Sequence, residues 1–252
     1  GVRTVGITGR DSKMQGELLV IQTVAQEISA THSISYVGAM TRLAQIAARL
    51  AALKGRTREA QALEQGLAHL PEVIEDILAR EDEVRQIASE AAAHERRLFY
   101  IGAGPNSVTG PEGALKAKEA AYVTAEGFEL EQAIHGPQVS FETQDVMIPI
   151  CVSGPAQSRM ADLLLALHEI GSRVWLVGEA PTAETAALID GERWKLFAIR
   201  YNADLPEELT PLLTVVPLQL LADFLATARG TNADSFRADQ ETYKNAGLRF
   251  KL

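Results

Sequence analysis

The stretch LFYIGAGPNSVTGPEGALKAKEAAY, residues 98–122, passes from an unbroken apolar segment through a Gly-Ala-Gly turn into a helix-patterned segment. Leu98–Gly102 is apolar at both alternating sets of positions, the signature of a parallel strand covered on both faces. Thr4–Thr8, Val146–Val152 and Arg173–Val177 carry the same signature, and Lys195–Arg200 is a shorter fifth run. Met160–Ile170 lies between two of them, with Leu163, Leu164, Leu167 and Ile170 at helical spacing. Strands alternating with helices predict an α/β architecture with a mainly parallel sheet.

The first half reads differently. From about Ser35 to Arg97 the pattern is helical, rich in Ala, Leu, Glu and Arg. Breaks are expected at Lys54-Gly55 and at Pro71, a residue suited to the first position of a helix. Val73, Ile74, Ile77, Leu78 and Val84 form an apolar stripe along Glu72–Ala93, read as the course of a helical linker. The tail, Thr231–Leu252, is polar and is expected to wrap over the surface or a neighbouring subunit. The chain opens on Gly1 and runs at once into a strand that needs neighbours on both sides. It is therefore expected to lack its natural N-terminus.

At 252 residues and 27.2 kDa the chain can bury one large core or two modest ones. A formal charge of −9 argues against a nucleic-acid binder, which shows a basic face. Phosphate-bearing small molecules stay open, because helix N-termini bind them without net positive charge. No signal-like segment opens the chain, and no apolar run is expected to cross a bilayer. The richest, Leu212–Ala226, is interrupted by Pro217, Gln219 and Asp223. The single cysteine, Cys151, excludes an internal disulfide and fits a buried strand in a reducing cytoplasm.

Glu112, Lys116 and Glu119 share one helical stripe: a carboxylate, an ammonium and a second carboxylate. Pairs at these spacings are commonly solvated helix-surface pairs worth about 0.2–0.5 kcal/mol each. Against that reading, Ala114, Ala117, Ala120 and Ala121 leave the opposite side small enough for close approach to a sheet. His135 precedes Gly136-Pro137, so backbone rather than core packing would fix its ring. An imidazole there suits proton transfer, or merely caps a helix. His32 lies in the small polar cluster Ser29-Ala30-Thr31-His32-Ser33, either an N-cap region or a ligand loop. His69, His94 and His168 look structural, and no histidine pair has metal-ligand spacing. Gly102-Ala103-Gly104 fails the dinucleotide fingerprint, because Ser107 stands where its third glycine falls. It reads instead as a tight turn at the carboxyl end of a strand, where α/β folds place ligands. No cofactor is expected.

EGALKAKEAAYVTAEGFELEQAIHGP at 112–137 resembles the second sugar isomerase (SIS) domain in the isomerase half of glucosamine-6-phosphate synthase. Leu70-Pro71, YIGAG at 100–104 and TVVPLQLLADFLATARGTNAD at 214–234 extend the likeness over nearly all of the chain. The resemblance implies tandem SIS domains, each a mainly parallel sheet flanked by helices, working as a cytoplasmic homodimer with a shared active site. Residues 1–62 would be the C-terminal part of a truncated first domain, 63–96 a helical linker, 97–230 the second domain and 231–252 a tail. It further implies aldose–ketose isomerisation of a hexose or aminohexose 6-phosphate, with amination or deamination as variants. Glu119 matches the base that carries a proton between C1 and C2. Lys116 matches a lysine beside the reacting end. His135 matches the ring-opening histidine, supplied in the family by the partner subunit.

Departures from the family pattern matter as much. Its phosphate loop would precede Thr4–Thr8 and does not stand in this sequence. Ala30, Thr31, His32 and Ser33 occupy the substrate-binding stretch, with His32 in place of the family's serine. Glu241 stands where the family has a catalytic lysine, and Lys244 is the nearest substitute. No glutaminase domain or N-terminal nucleophilic cysteine is present in this chain. The rival expectation is a non-catalytic SIS module that binds a sugar phosphate and regulates a partner.

Overall fold

The computed structural model of the chain describes residues 4–10, 12, 19–25, 27–93 and 97–250. Near its start, β1 (Val5–Thr8) and β2 (Leu19–Gln22) pair in parallel as a separate small sheet. Three helices follow: α1 (Ile34–Leu53), α2 (Thr57–Ala79) and α3 (Glu81–Ala92). The second half alternates β3 (Leu98–Gly102), α4 (Thr109–Ala121), β4 (Ala125–Glu129), α5 (Leu130–Ile134), β5 (Val146–Cys151), α6 (Gln157–Ile170), β6 (Arg173–Gly178), α7 (Ala183–Ala186) and β7 (Trp194–Ala198). The long α8 (Pro211–Arg229) and the tail helix α9 (Glu241–Phe250) complete it.

β3 to β7 form one parallel sheet in the order β4-β3-β5-β6-β7. Period-2 alternation sends its side chains into two separate cores. Leu98, Tyr100, Ile148, Trp175 and Phe197 face the layer made by α2, α3, α4 and α8. Phe99, Ile101, Met147, Leu176 and Trp194 face the opposite layer, with Met160, Leu163, Leu164 and Leu167 of α6. The α/β expectation holds, and Cys151 is buried at the end of β5.

Several expectations need correcting. Ala125–Glu129 is a strand, β4, absent from the strand runs read in the sequence; it pairs with β3 from Leu98↔Ala125 to Gly102↔Glu129. Pro71 lies inside α2 and ends nothing. A proline there forfeits one ladder hydrogen bond. Gly66, Leu70, Val73 and Ile77 are buried on the same helix, so burial carries the helix through. The break falls at Arg80, which ties the junction to the sheet by donating to the Ala198 carbonyl at 2.6 Å. β1 was expected buried between neighbours; it pairs with β2 alone among the described residues, and Val5 is exposed. The run Glu207–Arg229, which contains α8, is long and apolar enough to cross a membrane despite its polar interruptions, but 83% of its apolar window is buried inside the fold. α8 is the central helix of the core, packed against α2, α3 and α4. Gly1 and His94 lie outside the described residues.

The small face of α4 does what its alanines imply. Ala114, Ala117, Ala120 and Ala121 are all buried. A Cβ on Gly127 of β4 would meet the backbone of Pro111 at 2.4 Å, so the first turn of α4 sits directly on the edge strand. Gly127→Ala should therefore cost at least about 2 kcal/mol, since a backbone clash relaxes less readily than a side-chain one. Urea unfolding measures it; a change below about 0.5 kcal/mol contradicts this packing.

Candidate active site

With its alanine face pressed on the sheet, α4 must carry Lys116 near the core too. Lys116 is only 5% exposed, whereas lysine is rarely buried unless paired. Its Nζ lies 2.7 Å from Glu119 Oε2 and 3.5 Å from Glu112 Oε1. The solvated reading of this stripe is thus corrected: a shielded ammonium sits between two partly shielded carboxylates. Burial pushes the Glu112 carboxyl above its ordinary range and Glu119 adds to it, while Lys116 pulls the other way. Tyr36 of α1 faces this group. Burial, reinforced by the Glu112 carboxylate, raises its phenol to about 12, so it stays a neutral donor.

Lys116 opens onto a cleft of about 290 Å³. One wall is the loop before α1, through Ser29, Thr31 and Ser33; another is α8, through Gln219 and Asp223; a third is the tail, through Ala233 and Asp234. Glu119 is tied to this cleft through Lys116 and does not itself line it. Thr31 Oγ1 donates to the Ala233 carbonyl at 2.7 Å, closing the loop against the tail.

The loop is shaped by Glu27, which sequence reading missed. Its carboxylate accepts from the backbone N–H of Ser33, Ile34 and Ser35 at 2.9–3.1 Å, and from Ser33 Oγ at 3.0 Å. It caps α1 from outside the helix, satisfying donors that have no partner within it. Burial opposes the charged form, but the backbone donors outweigh it and hold the Glu27 carboxyl down at about 2. Gln219 and Asp223 were legible in hindsight: one helical turn apart, they are the polar interruptions in the apolar run and share the face toward the cleft.

Other expected residues fall elsewhere. Thr31 and Ser33 line the cleft; Ala30 and His32 do not, and His32 is exposed. His135 is also outside the lining, with a side chain 72% exposed and Nε2 3.1 Å from Glu131 Oε2. The turn after it is as read, with Gly136 at φ 144° and Pro137 opening a short 3-10 turn, but the ring is held by the Glu131 side chain rather than by backbone. Lys244 is exposed on α9. The Gly102-Ala103-Gly104 turn is not a wall of this cleft. It is filled by a buried network in which Asn106 Nδ2 donates to Thr210 Oγ1 at 2.8 Å, and Thr214 Oγ1 donates to Asn106 Oδ1 at 2.6 Å.

No family model matches the chain. The glutamine–fructose-6-phosphate aminotransferase (isomerizing) of Gloeobacter violaceus is 32% identical over an alignment of 244 residues that covers 94% of this chain and 39% of that protein. The chain thus spans well under half the length of the curated relatives it matches. Among solved structures, the C-terminal domain of glucosamine-fructose-6-phosphate aminotransferase from Francisella tularensis superposes with a TM-score of 0.74 at 21% identity, covering 85% of this chain and 59% of that one. Glucosamine-6-phosphate deaminase from Thermotoga maritima superposes with a TM-score of 0.62 at 19% identity, covering 92% and 64%. The resemblance read from the sequence is borne out over most of the chain, and the neighbours share its fold.

Replacing Glu27 by Ala should cost about 0.5–2 kcal/mol at neutral pH, the range for a lost helix cap. The sign of the pH dependence follows from its depressed pKa of about 2 against an ordinary 4.5. Between these values the unfolded chain binds more protons, so the contribution is complete above about 4.5 and fades as pH falls toward about 2. Unfolding free energies of the parent and Glu27→Ala should converge over that window. A gap unchanged from pH 6 to pH 2.5 contradicts the capping role.

Proposed function

We propose, from the kinship of this chain with the isomerase half of glucosamine-6-phosphate synthases, that it acts on a hexose or aminohexose 6-phosphate by aldose–ketose isomerisation. The observation that carries this reading is the shielded Lys116 held by Glu112 and Glu119 at the wall of a cleft rich in hydroxyl groups. Isomerisation needs a base that takes a proton from one of two adjacent carbons and returns it to the other across a cis-enediol. Glu119 is assigned that role. Lys116 stabilises the charge that develops on the sugar oxygen as the proton leaves. Thr31 and Ser33, with Ser29, would bind sugar hydroxyls, whereas Ala30 and His32 shape the loop from outside the cleft.

His135 is assigned to ring opening in the cleft of a second copy, because its exposed ring, paired only with Glu131 among the described residues, stands where a neighbour can reach it. This makes the working unit a homodimer with a shared site, in the cytoplasm. Residues 1–62 would belong to a first SIS domain, 63–96 to the linker, 97–230 to the second and 231–252 to the tail. Lys244 would approach the sugar only if α9 moved. Deamination of an aminohexose phosphate uses the same proton carrier and is the variant reading.

The non-catalytic rival is favoured by Lys244, the nearest substitute for the family's catalytic lysine, which is exposed on α9 and lies outside the cleft lining. Among the described residues Lys116 is the only lysine or arginine lining the cleft, and its charge is already taken by two carboxylates, so on either reading a phosphate needs another anchor.

Deuterium uptake at C1 of fructose 6-phosphate or at C2 of glucosamine 6-phosphate separates the two readings. The enzyme reading expects exchange that Glu119→Gln lowers by at least about a thousandfold, the scale of a lost general base, while sugar phosphate still binds. Binding without exchange in the parent supports the regulatory module, and undiminished exchange in Glu119→Gln rejects the assignment.

A further inference from the structure

The described non-glycine residues with positive φ are Tyr122 (56°), Phe236 (45°) and Arg237 (59°), and Tyr122 and Arg237 are in contact with each other. Such a conformation crowds Cβ against the backbone, so glycine is the usual choice. Tyr122 ends α4, the helix that carries Lys116 and Glu119. Its hydroxyl donates to the Asn232 carbonyl at 2.8 Å and accepts from the Arg237 backbone N–H at 3.0 Å. The Arg237 guanidinium stacks on the Tyr122 ring at 4.6 Å and on the Tyr243 ring at 3.8 Å. One phenol thus joins both ends of the segment that contains Ala233 and Asp234, the tail's contribution to the cleft.

We propose that Tyr122 and Arg237 are positioning residues that latch the tail over the cleft and so set the distance between the tail wall and Lys116. Glycine would end α4 without strain but would supply no hydroxyl. The strain of the tyrosine is offset by two hydrogen bonds and a stacked cation. The far side of the same segment is held by Thr31 on the Ala233 carbonyl. Loosening the latch therefore disturbs the Ser29–Ser33 wall as well, although the Tyr122 hydroxyl bonds only to Asn232 and Arg237. The proposal rests on reading the cleft as the sugar-phosphate site only for its effect on ligand affinity.

The test is amide hydrogen exchange on the whole chain, with glucosamine 6-phosphate as the binding probe. Tyr122→Phe keeps the ring, the stack and the strain and removes only the hydroxyl. It should speed exchange at Arg237 and across 231–240 by about tenfold, the factor for one hydrogen bond. Exchange at 29–33, across the cleft, should rise with it, while Tm stays within about 3 °C of the parent. Arg237→Lys keeps the charge but loses the planar stack, and should give the same pattern more weakly. Affinity for glucosamine 6-phosphate should fall about tenfold in Tyr122→Phe. Unchanged exchange at 29–33 and 231–240 in both variants overturns the latch, and faster exchange with unchanged affinity overturns its positioning role. If the parent binds no glucosamine 6-phosphate, the sugar-phosphate reading fails instead, and exchange across the cleft alone decides whether the latch exists.

Discussion

A lysine shielded from bulk water governs this structure. Because α4 presses an alanine face onto β3 and β4, Lys116 is drawn into a layer where an unpaired ammonium would be costly. Glu112 and Glu119 supply the required charge at 3.5 and 2.7 Å. Their positions one turn before and one turn after leave the trio only one arrangement. The same shielding lifts the Glu112 carboxyl above its ordinary range and, with Glu112, raises the Tyr36 phenol. Site and fold are therefore coupled. Whatever spreads α4 from the sheet admits water to the ion trio.

The walls around Lys116 come from parts of the chain far apart in sequence. Glu27 fixes one by capping α1 across several residues. α8 supplies another from inside the core, and Tyr122 with Thr231 fastens the tail to the end of α4, the latter through the Ala120 carbonyl at 2.9 Å. Side-chain-to-backbone hydrogen bonds do most of this fastening, which suits segments that must hold shape without regular structure.

The sequence exposed what is periodic or locally dense. Leu98–Gly102 and Arg173–Val177 read directly as strands, because residues buried on both faces leave a continuous apolar run. The alanine face of α4 foretold its close approach to the sheet. β4 escaped notice for a physical reason: an edge strand pairs on one side only, and AEGFE carries glutamates and a glycine that the packing of Pro111 requires. Pro71 misled because a local rule was outweighed by burial along the rest of α2. Glu27 and Tyr122 were illegible as well, since a cap eight residues from its partner and a left-handed tyrosine show no spacing pattern. Spacing placed His135 rightly in its turn, but its distance from the cleft is a tertiary fact.

A crystal structure of the chain with glucosamine 6-phosphate bound would test most directly whether the ion trio is the reacting centre. The account predicts the sugar in the cleft between Ser29–Ser33 and Ala233-Asp234, with C1 or C2 within about 3.5 Å of a Glu119 carboxylate oxygen, the separation of a near-attack geometry. A sugar seated elsewhere, or a Glu119 that keeps Lys116 while the ligand lies beyond its reach, would contradict it.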